Sequence, residues 1–69
     1  MNNINRLKAV LAERGKTAKW LAECLGKDPA TVSKWCTNRN QPTVETFVNV
    51  AKLLEVDVRD LFVSTTSIK

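Results

Sequence analysis

No histidine and no tyrosine occur in these 69 residues, and glycine, proline and cysteine appear only twice each. Without histidine the chain lacks the commonest general base and metal ligand. Its acids are scattered, with no paired carboxylates and no phosphate-cradling glycine loop, so an enzyme is not expected. Cys24 and Cys36 have eleven residues between them and form neither a CxxC nor a zinc-finger spacing, which speaks against a metal centre or a disulfide framework. Each falls within an expected helix, where a small buried thiol is the ordinary reading. No apolar run approaches the ~18 residues of a membrane span. The start, Met1-Asn2-Asn3-Ile4, has no long apolar region of the signal-peptide kind, so a cytoplasmic, membrane-free protein without cofactors is expected.

What the chain does have is an apolar fraction of 43%, enough for one core. A chain this short buries only about 60% of its unfolded surface and has no room for a second core or a deep cleft. Residues 1–69 are therefore read as a single domain, with its core at about 4–62 and a polar tail at 64–69.

The charge is +4 overall, but it is unevenly placed. Residues 1–39 hold eight bases (Arg6, Lys8, Arg14, Lys16, Lys19, Lys27, Lys34, Arg39) against three acids, a net +5. Residues 40–69 hold three bases against four acids, a net −1. Such an excess in one half suits a polyanion, because each neutralised phosphate releases condensed counterions. It equally suits a merely soluble basic surface.

Apolar spacing divides the chain into five helical segments, all-α throughout. In the first, Ile4, Leu7, Val10 and Leu11 recur at helical steps through Arg14, with Asn3 placed to cap and Gly15 to end it. Thr17 caps a second segment ending at Leu25, with Leu21, Ala22 and Leu25 inward and Gly26 as its stop. Asp28-Pro29 opens a third, where Asp accepts a first-turn amide and Pro at the first position forfeits no bond. Val32, Trp35 and Cys36 form its inward stripe. After the polar stretch 37–42, Thr43 caps a fourth segment whose core face reads Val44, Phe47, Val50, Ala51 and Leu54. Asp57 caps a short fifth, with Val56 and Leu61 spaced as a hydrophobic staple.

From Thr17 to Thr37 the order is capped helix, glycine turn, capped helix. This is a helix-turn-helix unit, in which a short turn sets two helices at a steep angle so that the second can enter a major groove. A generic helical bundle would show the same spacing.

More specific words accompany it: Trp20-Leu21-Ala22-Glu23-Cys24-Leu25-Gly26, Thr31-Val32-Ser33-Lys34-Trp35, Gln41-Pro42-Thr43-Val44-Glu45-Thr46-Phe47 and Ala51-Lys52-Leu53-Leu54-Glu55-Val56-Asp57-Val58. Together they resemble the Cro/C1-type (XRE) helix-turn-helix family over about Asn5 to Phe62. The resemblance implies a compact five-helix fold like the DNA-binding domain of lambda repressor, with the helix-turn-helix at helices two and three. It implies that the third helix reads bases with Pro29, Ala30, Ser33 and Lys34. It implies phosphate contacts at the start of the second helix (Thr17, Ala18, Lys19) and in the loop after the third (Thr37, Asn38, Arg39, Asn40).

The chain departs from the family pattern where many members carry glutamine, having Ala18, Pro29 and Ala30 instead. Alanine and proline cannot bond adenine bidentately, leaving only apolar contact with a thymine methyl. Cys36 and Leu11 stand where many members pair a glutamate with an arginine, an exchange of a buried ion pair for apolar contact that is often neutral for stability.

Residue by residue, the functional readings stand beside plainer ones. Lys34 faces outward and reaches a guanine edge or a phosphate, or is an ordinary solvated lysine. Ser33 and Thr31 bond bases or phosphates, or their own helix backbone. Trp20 covers the edge of the core or stacks on a partner, whereas Trp35 and Phe47 are core residues.

The expected function is sequence-specific transcriptional regulation, as a repressor binding double-stranded DNA at a palindromic operator. The partner copy of a homodimer is expected to meet the apolar run Leu61, Phe62 and Val63. The alternatives are an antitoxin, which binds DNA and also a toxin protein, and a helical protein-interaction module without a DNA role.

Overall fold

The computed structural model describes residues 3–65; the end of the polar tail, 66–69, lies outside them. The elements run α1 (Leu7–Glu13), α2 (Ala18–Leu25), α3 (Pro29–Cys36), α4 (Val44–Leu54) and a 3-10 turn at Val58–Leu61. The all-helical class is as expected, but the fifth helix is only this one turn. It stops there because Phe62 takes extended dihedrals (φ −110°, ψ 148°) and forms an antiparallel bridge with Asn5.

Four side-chain caps read from the sequence are present. Thr17 Oγ1 accepts from Trp20 N at 3.0 Å, Asp28 Oδ1 from Ala30 N at 3.0 Å, Thr43 Oγ1 from Thr46 N at 3.1 Å and Asp57 Oδ1 from Arg59 N at 2.9 Å. Each satisfies an amide with no partner in its own helix, worth about 1 kcal/mol.

The start of α1 differs from expectation. Asn3 does not cap it; Asn5 Oδ1 accepts from Leu7 N at 2.9 Å. The helix begins late because the preceding residues pair with the end of the chain: Arg6 N donates to Leu61 O (2.8 Å) and Val63 N to Ile4 O (2.9 Å). Ile4, assigned by spacing to the core stripe, is consequently 51% exposed.

All four α-helices among the described residues end alike. A residue in the left-handed region (Gly15, Gly26, Asn38, Glu55; φ between 58° and 69°) turns the chain so that the following amide bonds a carbonyl five residues back. The pairs are Lys16 to Leu11, Lys27 to Ala22, Arg39 to Lys34 and Val56 to Ala51, at 2.8–3.0 Å. This double-bonded ending satisfies the last carbonyls, and glycine or asparagine takes the required φ most readily. Glu55 is the departure from that preference.

The core unites Leu7, Val10 and Leu11 of α1, Leu21 and Ala22 of α2, Val32 and Trp35 of α3, and Phe47, Val50, Ala51 and Leu54 of α4, with Leu61 beneath. Leu25, Trp20, Cys36 and Val56 are partly buried against it. Val44 corrects a second assignment: at the first position of α4 it overhangs the core and is 77% exposed. Leu61 is wholly buried, so it cannot belong to a dimer contact; only its neighbours Phe62 and Val63 remain near the surface. The Phe62 ring packs on Phe47 with centroids 4.7 Å apart. Among the described residues no buried side-chain polar atom lacks a partner, and no helix is long and apolar enough to cross a membrane.

Candidate nucleic-acid interface

Helices α2 and α3 pack directly against each other across the turn Gly26-Lys27-Asp28. Val32 (0% exposed) and Trp35 (6%) fix the inward side of α3, and this sets its rotation about its own axis. Pro29, Ala30, Ser33 and Lys34 are all left exposed on the other side, and Thr31 is half-buried. The four exposed residues are those implied by the family resemblance to face bases.

The mouths of the two helices differ electrically. In α2, Thr17 takes the amide of Trp20, while Ala18 and Lys19 in the first turn have no carbonyl four residues back within the helix. Their N–H groups have no helix carbonyl to meet, and Lys19 in the same turn is exposed, a setting that favours an anion. In α3 the mouth is closed. Pro29 has no N–H, Asp28 Oδ1 holds the amide of Ala30, and Thr31 N donates to Asp28 O at 2.9 Å. With a carboxylate already there, α3 is suited to present side chains rather than to grip a phosphate at its end.

A concavity of about 360 Å³ brings parts of three helices together. Lys8, Leu11 and Ala12 of α1, Lys16 and Ala18 at the start of α2, and Ser33, Cys36 and Thr37 around α3 line it. Burial raises the Cys36 thiol above its ordinary pKa, with nearby Lys8 opposing the shift, so the wall stays neutral and apolar at pH 7. Two lysines thus flank a floor of small apolar side chains. Lys8 was not among the site residues read from the sequence. Its signal was weak: an exposed lysine three residues before the core residue Leu11.

The ion pairs among the described residues lie elsewhere. Arg6 pairs with Glu13 (3.1 Å), Arg14 with Glu55 (3.6 Å) and Arg59 with Asp57 (3.1 Å). Among the described residues Lys8, Lys16, Lys19, Lys34 and Arg39 have no carboxylate partner. Lys16 instead holds its Nζ 4.9 Å above the Trp20 ring.

The loop after α3 is divided. Arg39 and Asn40 are exposed, with their amides anchored on Lys34 O at 2.9 and 3.3 Å. Thr37 turns its hydroxyl back onto Ser33 O and Lys34 O, both at 3.2 Å. Asn38 departs from the expectation of a phosphate contact, since its side chain points inward. Oδ1 accepts from Ile4 N and Asn5 N (2.9 Å each) and from Gln41 Nε2 (3.1 Å), while Nδ2 donates to Asn5 O (3.0 Å). Its polar atoms are spent on the protein.

Comparison with known proteins gives the same picture. A helix-turn-helix family profile matches residues 7–61. No curated protein sequence matches. A crystal structure described as that of a candidate DNA-binding protein from Bacteroides fragilis superposes with a TM-score of 0.86 at 50% identity, covering 87% of this chain and 97% of that one. In fold and in the extent of the match, the chain belongs to the Cro/C1-type helix-turn-helix family.

Proposed function

We propose that this protein is a DNA-binding transcriptional regulator of the cytoplasm, acting as a repressor that lays α3 in the major groove of a palindromic operator. The observation that carries this reading is the outer face of α3, where Pro29, Ala30, Ser33 and Lys34 are exposed, together with cations that have no carboxylate partner. The relative from Bacteroides fragilis, itself described as a candidate DNA-binding protein, supports it.

In this reading Lys34 and Ser33 meet base edges, Thr31 bonds a base or phosphate, and Pro29 and Ala30 offer apolar contact to a thymine methyl. The open mouth of α2 at Thr17, Ala18 and Lys19 holds one phosphate, and Arg39 and Asn40 hold the next part of the backbone. Lys8 and Lys16 add positive charge between them. One recognition helix covers few base pairs, so two copies bind half-sites about 10 base pairs apart. Ile4, Phe62 and Val63 supply the apolar contact between them.

Selection of bound sequences from a random DNA pool, followed by titration against salt, tests this. With about four phosphates neutralised per subunit, log affinity falls against log salt with a slope of roughly −3 to −4 per subunit. A palindromic consensus is expected; a flat salt response would sink the reading.

A further inference from the structure

The Asn38 side chain does more than fill space. Its carboxamide lies against the peptide of Asn5 as a neighbouring strand would, with the oxygen accepting Asn5 N–H (2.9 Å) and the nitrogen donating to Asn5 C=O (3.0 Å). The opposite edge of the same segment is bonded to the end of the chain, through Ile4 O to Val63 N and Arg6 N to Leu61 O. Asn5 completes the fastening from its own side, since its Nδ2 donates to Trp35 O in the last turn of α3 (3.0 Å) and to Gln41 Oε1 (2.7 Å). The N-terminal segment is therefore clamped between the loop that follows α3 and the terminal 3-10 turn.

Asn38 is also the left-handed residue (φ 61°) that ends α3, immediately before Arg39. Glycine would serve the backbone there at least as well. A side chain with an acceptor and a donor side by side is what the clamp needs and glycine lacks.

We propose that Asn5 and Asn38 are positioning residues for DNA binding: their clamp holds the Arg39 loop against the Ile4–Arg6 segment, so that Arg39 meets the phosphate backbone in a fixed place. This rests on the DNA reading above and adds to it a part of the chain that touches no nucleic acid. Holding the loop in advance spares the ordering of Arg39 on binding.

A double-mutant cycle separates this role from a purely structural one. Asn38→Gly keeps the turn and removes the clamp. In the parent protein, Arg39→Ala flattens the salt slope by about one unit and weakens binding several-fold. In the Asn38→Gly background it should change slope and affinity much less, because Arg39 has already lost its fixed place. Lys19→Ala, on α2, serves as control and should have the same effect in both backgrounds. Thermal unfolding confirms that each variant is folded at the assay temperature. If Asn38→Gly is not, the cycle is run with Asn38→His, which also tolerates positive φ but cannot span one peptide with adjacent acceptor and donor. Equal Arg39→Ala effects with and without the clamp would overturn the positioning role alone. Absence of salt-sensitive DNA binding in the parent protein would overturn the DNA reading and the positioning role with it.

Discussion

The Lys16 ammonium sits 4.9 Å above the ring of Trp20, on the half-buried flank of α2. The indole thus covers the edge of the core with one part and holds a cation of the basic half with another. Such a contact at an exposed site is worth about 0.5–1 kcal/mol. Lys16→Gln should lower stability by that amount in chemical denaturation, and Lys16→Arg should retain it. Equal losses in the two variants would mean that the ring contributes nothing beyond its packing.

Lys34 and Arg39 should separate specificity from affinity. Lys34 projects from the body of α3, whereas Arg39 lies past its end. Lys34→Ala is expected to cost about 1–3 kcal/mol on the preferred site and to relax discrimination at one base pair, while Arg39→Ala weakens all sequences alike. If Lys34→Ala lowers affinity equally for preferred and scrambled duplexes, it touches phosphate only, and specificity comes from Ser33, Thr31 or DNA shape.

The two thiols should differ in reactivity, and DNA should widen the difference. Cys24 is exposed, whereas Cys36 is half-buried in the groove between α1 and α3 with its pKa raised by burial. Since the thiolate is the reactive form, Cys36 should react slowly at pH 7 and speed up as pH rises. Adding the preferred duplex should protect Cys36, which shares its groove with Ser33 and Thr37, and leave Cys24 unchanged. Mass spectrometry after timed alkylation reads both sites. Unaltered labelling of Cys36 in the complex would place the DNA on another face.

Gly26 tests the helix endings. A Cβ there meets no atom within 4 Å, so the only cost of Gly26→Ala is the left-handed backbone at φ 67°. That cost is about 1–2 kcal/mol, less the gain from a stiffer unfolded chain. A net loss of about 1 kcal/mol in equilibrium unfolding is expected, with the helix-turn-helix otherwise intact.

The sequence disclosed local chemistry more readily than contacts between distant parts. Thr17, Asp28, Thr43 and Asp57 were readable as caps because each bond closes within three residues. The inward faces of α2 and α3 were readable because helical period fixes them. Ile4 and Val44 misled because period cannot tell where a helix begins, and both sit at or beyond its first turn. Asn38 misled for another reason: the backbone groups it bonds, on Ile4 and Asn5, lie more than thirty residues away, and nothing local marks an asparagine as facing inward. Lys8 entered the groove only through the packing of α1 on α3.

The pairing of Ile4–Arg6 with Leu61–Val63 has a kinetic consequence. It joins the two most distant stretches of the described chain, so its closure carries a large entropic penalty, whereas α2 and α3 meet through a short turn. The order of events in folding should follow, with the helix-turn-helix forming before the transition state and the terminal ribbon after it. Val63→Gly, which thins the ribbon and changes no residue of α2 or α3, should therefore leave the refolding rate nearly unchanged and place its whole effect on unfolding.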